Sequence, residues 1–248
     1  MFALFRNWNR RRILRRHRIP VALWRAAVAE VSAAAHLSDA ERARLRDTAS
    51  LFLHEKAIEP ARGVTLTDAM RARIACEAAI PVLNLGLDYY HAFYSVIVYK
   101  EAFLARDVYR DEAGVIHSGY SARAGEAWLR GPVVISWEDV ISRSHGYNVI
   151  IHEMAHKLDM LDGAANGRPP MQKGMDQERW TAAFSQAYAE QTARIAAGQP
   201  VVIDAYSATN PAEFFAVASE AFFEAPRLLE STWPDVYEQL VLYYRQRP

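Results

Sequence analysis

Apolar residues recur at helical spacing through the first third of the chain. Val21 to Ala35 is a run rich in Ala and Val behind Pro20, and proline suits a helix start because its missing N–H would be unpaired there anyway. Ser38-Asp39-Ala40-Glu41 reads as a capping box, with Ser38 as the cap and Glu41 reaching back three residues later. It opens a helix to about Lys56, with Leu45, Ala49, Leu51 and Phe52 facing the core. Thr67 caps a third helix, Asp68 to about Leu83. The pattern then changes. Ser95-Val-Ile-Val-Tyr99, Gly114 to Ser121 and Pro132 to Trp137 are short runs separated by glycines, which predicts three strands of a small antiparallel sheet.

Helical spacing returns in four segments: about His145 or Tyr147 to Met160, Gln177 to Ala197, Asn210-Pro211 to Ala225, and Asp235 to Arg245. Residues 161–176 form a Gly/Pro/Asn-rich loop, and residues 198–209 a connector with a β-like run, Val201-Val202-Ile203. The expected fold class is therefore α+β and mainly helical, with the small sheet beside the helix that ends near Met160. Residues 19–248 read as a single unit, with a helical layer over 19–90 and a core over 91–248. Residues 1–18 read as a basic, solvated arm, with contact to an acidic partner or nucleic acid and anchoring to anionic lipid headgroups, helped by Phe2, Leu4, Phe5 and Trp8, as the two other readings.

Composition narrows the function classes. The chain has 248 residues, 51% of them hydrophobic, enough to bury a core without staples. Cys76 is the only cysteine, so an intrachain disulfide and a Cys-rich zinc finger are both excluded. Net charge is zero, but residues 1–18 hold seven arginines and no acid, leaving 22 basic and 29 acidic side chains beyond them. That acidic balance argues against nucleic-acid binding by the main fold. The most apolar stretch, Ile74 to Leu87, is interrupted by Glu77, Pro81 and Asn84 and is too short to span a bilayer. Arg10-Arg11-Arg12 lacks the apolar segment that an export signal needs next, so the expected location is the cytoplasm.

Residues 152–156 read His-Glu-Met-Ala-His. On a helix the two imidazoles lie one turn apart on one face and can share a metal ion, while Glu153 can take a proton from the metal's water. Val149, Ile150, Ile151, Met154, Ala155 and Leu158 make this helix a core helix, and polar side chains buried there need partners, which a metal supplies. All eight histidines lie at or before position 156, and position 162 is Asp162, so a third histidine six residues after the second is excluded. A downstream carboxylate remains. Glu213 and Glu220, seven apart among phenylalanines, are the two candidates; Glu213 also stands where a capping-box carboxylate would after Asn210. Asp159, three residues after His156, is a candidate to orient a ligand imidazole or a solvated helix-end acid, and Glu220 is a candidate for the same supporting role. Val133 to Trp137 is a candidate edge strand for an extended substrate. His117 and His145 read as structural or surface residues.

These segments resemble a known family. His152-Glu-Met-Ala-His-Lys-Leu-Asp-Met160 and Ile203-Asp-Ala-Tyr-Ser-Ala-Thr-Asn-Pro-Ala-Glu-Phe-Phe-Ala-Val-Ala-Ser-Glu-Ala-Phe-Phe223 look like the Mlc titration factor A family of zinc peptidases. So do Leu66-Thr67-Asp68-Ala-Met70, Gly86-Leu-Asp-Tyr-Tyr90, Ser95 to Tyr99, Gly131 to Trp137 and the arginine-rich start, so the likeness covers nearly the whole chain. The resemblance implies a zincin-like gluzincin fold, related in its core to anthrax lethal factor. It implies Zn²⁺ as cofactor, His152, His156 and Glu213 as ligands, Glu153 as base, and Tyr206 as the group that steadies the oxyanion. It further implies aminopeptidase activity on a peptide or protein substrate, and binding to a bacterial transcriptional repressor of sugar uptake. A regulatory protein that sequesters such a repressor, its zinc serving structure alone, is the alternative expectation.

Overall fold

The computed structural model describes residues 2–101, 103–110, 116–123, 125–127, 131–142, 146–163 and 165–248, with backbone alone at 2–5, 7 and 103–127. The element order begins α1 (Phe2–His17), α2 (Val21–Ala29), α3 (Asp39–Glu55), β1 (Ala57–Pro60), α4 (Asp68–Ala79), β2 (Ser95–Tyr99), β3 (Phe103–Arg110) and β4 (Ile116–Arg123). It continues β5 (Gly125–Ala127), β6 (Val133–Ser136), α5 (Trp137–Ile141), α6 (Val149–Asp159), α7 (Gln177–Ala196), α8 (Pro211–Glu224), α9 (Pro226–Thr232) and α10 (Pro234–Tyr244). The chain is mainly helical, as its periodicity predicts. Among the described residues no helix is long and apolar enough to cross a membrane.

Local chemistry accounts for the helix starts. Ser38 Oγ accepts from the Glu41 N–H and the Glu41 carboxylate accepts from the Ser38 N–H, closing the predicted capping box of α3. Thr67 Oγ1 caps α4 at 3.2 Å, and Asp176 Oδ1 caps α7 through the Glu178 N–H at 2.9 Å. Two helices are shorter than their apolar runs: α4 ends at Ala79 rather than near Leu83, and α2 stops at Ala29. The run from Val21 breaks at Glu30 into a 3-10 turn, Ser32–Ala34.

The sheet corrects the sequence reading. Its strand order is β1-β2-β6-β5, and β1, β2 and β6 run parallel; only the short β5 is antiparallel, on β6. The run containing Gly114 to Ser121 pairs instead with β3 as a separate antiparallel hairpin, in register Phe103↔Arg123 to Arg110↔Ile116. The three runs do not form a meander because long connections separate them, and a parallel pair needs such a crossover. Between β1 and β2 that crossover carries α4. β1 itself, Ala-Ile-Glu-Pro, is too short and too polar to announce a strand; its proline fits the sheet edge it occupies, where no partner needs that N–H. β6 is buried at all four positions and paired on both sides, so it is interior and not the edge strand expected of Val133 to Trp137. The Val201 run is not a strand either, and residues 2–17 are helical where the charge run suggested an arm.

α8 lies at the centre of the helical part. Phe214, Phe215, Phe222 and Phe223 are each buried and packed on α7 and α10, with Phe214 set edge-on to Phe184 and Phe215 edge-on to Tyr243. Each such ring contributes about 1.5–3 kcal/mol of burial. The loop after α6 is tied into the same core. Gly167 donates to Asp159 Oδ2 at 2.7 Å and accepts from Trp180 Nε1 at 3.2 Å. Gly167 has φ +76°, and a Cβ there would stand 2.3 Å from the Pro211 carbonyl oxygen. Gly167→Ala is expected to cost about 2–4 kcal/mol, from a left-handed alanine and a backbone clash together. A urea midpoint indistinguishable from wild type would show that the loop does not need this approach to α8.

Candidate metal centre

α6 and α8 present polar faces to each other inside an otherwise apolar core. Asn148 caps α6, its Oδ1 accepting from the Ile151 N–H at 3.0 Å, and Asn210 caps α8 through the Glu213 N–H at 3.0 Å. Glu213, Glu220 and Glu224 fall within about 40° of one another around the α8 axis at 100° per residue, so one stripe carries all three toward α6. The stripe forms a ladder. Glu213 Oε2 lies 3.1 Å from both His152 Nε2 and His156 Nε2. Glu220 Oε1 lies 2.7 Å from His152 Nδ1, and its Oε2 accepts from the Asn148 N–H. Glu224 Oε1 accepts from Asn148 Nδ2 at 2.8 Å.

The two Nε2 atoms are themselves 3.1 Å apart, so Glu213 and the two imidazoles form a triangle with equal edges. A tetrahedral ion with bonds of about 2.0–2.1 Å has ligand–ligand edges of about 3.3–3.4 Å, close to these. Glu220 fixes the proton of His152 on Nδ1, which leaves the Nε2 lone pair facing the triangle. Two lone pairs at that separation repel unless a cation or a shared proton lies between them. Without a cation, burial opposes charge throughout, yet the carboxylates of Glu213 and Glu220 hold His152 well above its ordinary pKa. The two imidazoles likewise hold Glu213 below the usual carboxylate range against its burial. These residues therefore fit a metal ion: His152, His156 and Glu213 offer ligand atoms that all lie within 4.8 Å of one another.

Comparison with known proteins agrees with this geometry. Residues 5–245 match the family described as glucose-regulated metallo-peptidase M90. The chain belongs to that family. Among its relatives is the Mlc titration factor A of Yersinia enterocolitica serotype O:8, 39% identical over 92% of this chain and 86% of the relative. Those of Yersinia pestis strain Pestoides F and Yersinia pseudotuberculosis serotype O:1b are each 38% identical over the same shares.

Other residues singled out in this M90 chain fall into place around the triangle. Glu153 is buried beside it, and its Oε2 has no hydrogen-bond partner among the described residues. Burial pushes its pKa up to about 7 against the pull of the two imidazoles. Tyr206 sits on a 3-10 turn, Ala205–Ala208, capped by Asp204; its ring lies 6.2 Å from that of His152 and is half exposed. Asp159 is fully buried, not a solvated helix-end acid, and its hydrogen bond goes to Gly167 rather than to His156. His117 lies on β4, and His145 lies outside the described residues.

Two participants were missed by sequence reasoning, Asn148 and Glu224. Each had a signal: an Asn directly before the apolar run of α6, and an acid four residues past Glu220 on the same helix face. Lys157 was missed too. It is buried, and its Nζ donates to the Gly131 carbonyl at 2.9 Å, which fastens α6 to the segment entering β6.

Behind the ladder, Arg73 Nε donates to Glu77 Oε1 at 2.9 Å on α4. Burial pushes Glu77 up to about 7 even so, with Arg73 pulling the other way. Folding then takes up a proton at Glu77 between about pH 4.5 and pH 7, and its contribution to stability falls as pH rises through that window. Denaturant unfolding of wild type and Glu77→Gln at pH 5 and pH 8 is expected to show the variant gaining on wild type at pH 8; a gap that does not move with pH would remove Glu77 as the cause. Asn148→Ala is expected to lower stability by about 1–2 kcal/mol through the lost cap and the lost donor to Glu224, read by the same unfolding curves.

Proposed function

We propose that this member of the M90 family is a zinc-dependent peptidase of the gluzincin type, working in the cytoplasm as an aminopeptidase. The observation that carries the reading is the equal-edged triangle of His152, His156 and Glu213 with a buried carboxylate beside it, Glu153, whose Oε2 has no hydrogen-bond partner among the described residues. Two nitrogens and one carboxylate oxygen suit zinc, and three protein ligands leave a position for water. A zinc ion bound there supplies a Lewis acid and lowers the pKa of its water to about 7. Glu153 accepts the proton of the attacking water and hands it to the leaving amine. The Tyr206 hydroxyl donates to the oxyanion that develops on the scissile carbonyl, from a turn that Asp204 holds beside His152. Glu220 keeps His152 in the tautomer that offers Nε2. β5 lies beside α6, and among the described residues nothing pairs with its outer edge, so an extended peptide is received there by strand addition.

A second reading rests on the relatives' printed name, Mlc titration factor A. It has this chain bind a bacterial transcriptional repressor, the metal serving to clamp α6 to α8. Both activities can reside in one molecule, and Glu153→Gln separates them. Under the peptidase reading the variant retains one equivalent of zinc and loses chelator-sensitive cleavage of amino-acid anilides by a factor of about 10² or more, while repressor binding persists. Tyr206→Phe is expected to lower kcat by about 10-fold to 10³-fold with KM little changed. Full turnover by metal-loaded Glu153→Gln would overturn the assigned base. No cleavage by wild type on any anilide or peptide, with zinc bound, would leave the regulatory reading alone.

A further inference from the structure

We propose that the outward face of α1 is a docking surface for an anionic phospholipid bilayer. The helical period sorts the arginine run into two sets. Arg6, Arg10, Ile13, Leu14 and His17 share the face turned to the body. Ile13 is buried there, Arg6 and Arg10 pair with Asp88 at 3.0 and 2.8 Å, and His17 stacks on His54 at 5.4 Å. Arg11, Arg12, Arg15 and Arg16 fall with Trp8 on the opposite side, within an arc of about 140° at 100° per residue. All four arginines are exposed, and among the described residues no acidic side chain pairs with them. The Arg12 guanidinium lies over the Trp8 ring at 5.5 Å, and Trp8 is 57% exposed.

Four exposed guanidinia within six residues, with no acidic partner among the described residues, form a cationic patch suited to phosphate or carboxylate from outside the chain. Charge complementarity orients the encounter, because residues 19–248 carry 22 basic and 29 acidic side chains. An anionic surface attracts α1 and repels the body. Among anionic partners a bilayer accounts for more of what is present. The helix carries Phe2, Leu4, Phe5 and Trp8 immediately before its cations, the composition of an interfacial helix that sets aromatic and aliphatic side chains at headgroup depth and its cations on phosphates. Nucleic acid uses the cations and leaves the apolar residues without a role. The inner-face contacts also set which side of α1 the patch occupies.

The test uses the full chain in physiological salt. Wild type is expected to cosediment with vesicles of mixed phosphatidylglycerol and phosphatidylcholine, and not with phosphatidylcholine alone. Replacing Arg11, Arg12, Arg15 and Arg16 together by Ser is expected to weaken that binding by on the order of 10²-fold or more, while replacement by Lys keeps most of it. Binding is expected to shift tryptophan emission to the blue, and Trp8→Phe to abolish the shift. Peptidase rate on a soluble anilide is expected to stay at the wild-type level in each variant. Failure of wild type to bind the mixed vesicles, equal binding to both vesicle types, or tighter binding to duplex DNA at the same salt would overturn the proposal, as would unchanged vesicle binding by the four-serine variant.

Discussion

The contact between α6 and α8 governs the rest of the molecule. Two helices with strongly apolar surroundings press a stripe of carboxylates against imidazoles and an amide, in a region that water barely reaches. Such groups are tolerated only because each finds a counterpart across the interface. Remove one rung and its opposite number is left charged or unpaired in the core. The aromatic packing of α8 on α7 and α10 holds the stripe in place from behind, and the phenylalanines that make the ladder costly to leave unpaired also keep it from shifting.

The remaining architecture is fastened to this pair of helices. Lys157 reaches from α6 to the entry of β6, Asp159 reaches to Gly167, and Gly167 in turn lies against the first turn of α8. The sheet, the following loop and the second helix thus meet at one short stretch, 157–159. This stretch follows the second imidazole directly, so the hydrogen bonds that fasten the loop and the sheet to α6 are made within one turn of His156.

Much of the helical fold was legible, because caps and apolar period are local. Ser38, Thr67, Asn210 and Pro211 each start the helix their chemistry predicts. The convergence of His152 and His156 with an acid of α8 was legible for a related reason: the two imidazoles are one turn apart, and elimination leaves a short menu of acids to face them. The choice between Glu213 and Glu220 was not legible from spacing, since both lie on one helix face; the structure sets one at the triangle and the other on the far nitrogen of His152. Strand direction was hidden for a different cause. Pairing is non-local, β1 has almost no apolar signature, and the hairpin took a strand that the glycines had assigned to the main sheet. α1 was hidden because its six arginines outweigh Ile13 and Leu14 in any average over the segment, although position by position they sort cleanly.

The triangle joins residues 57 and 61 positions apart in the chain. During synthesis the two imidazoles leave the ribosome well ahead of the carboxylate that completes their set, and ahead of the phenylalanines that enclose it. A nascent chain therefore carries only two corners of the triangle until α8 has emerged and docked. The triangle itself is completed late, and a chain truncated before Pro211 lacks its third corner.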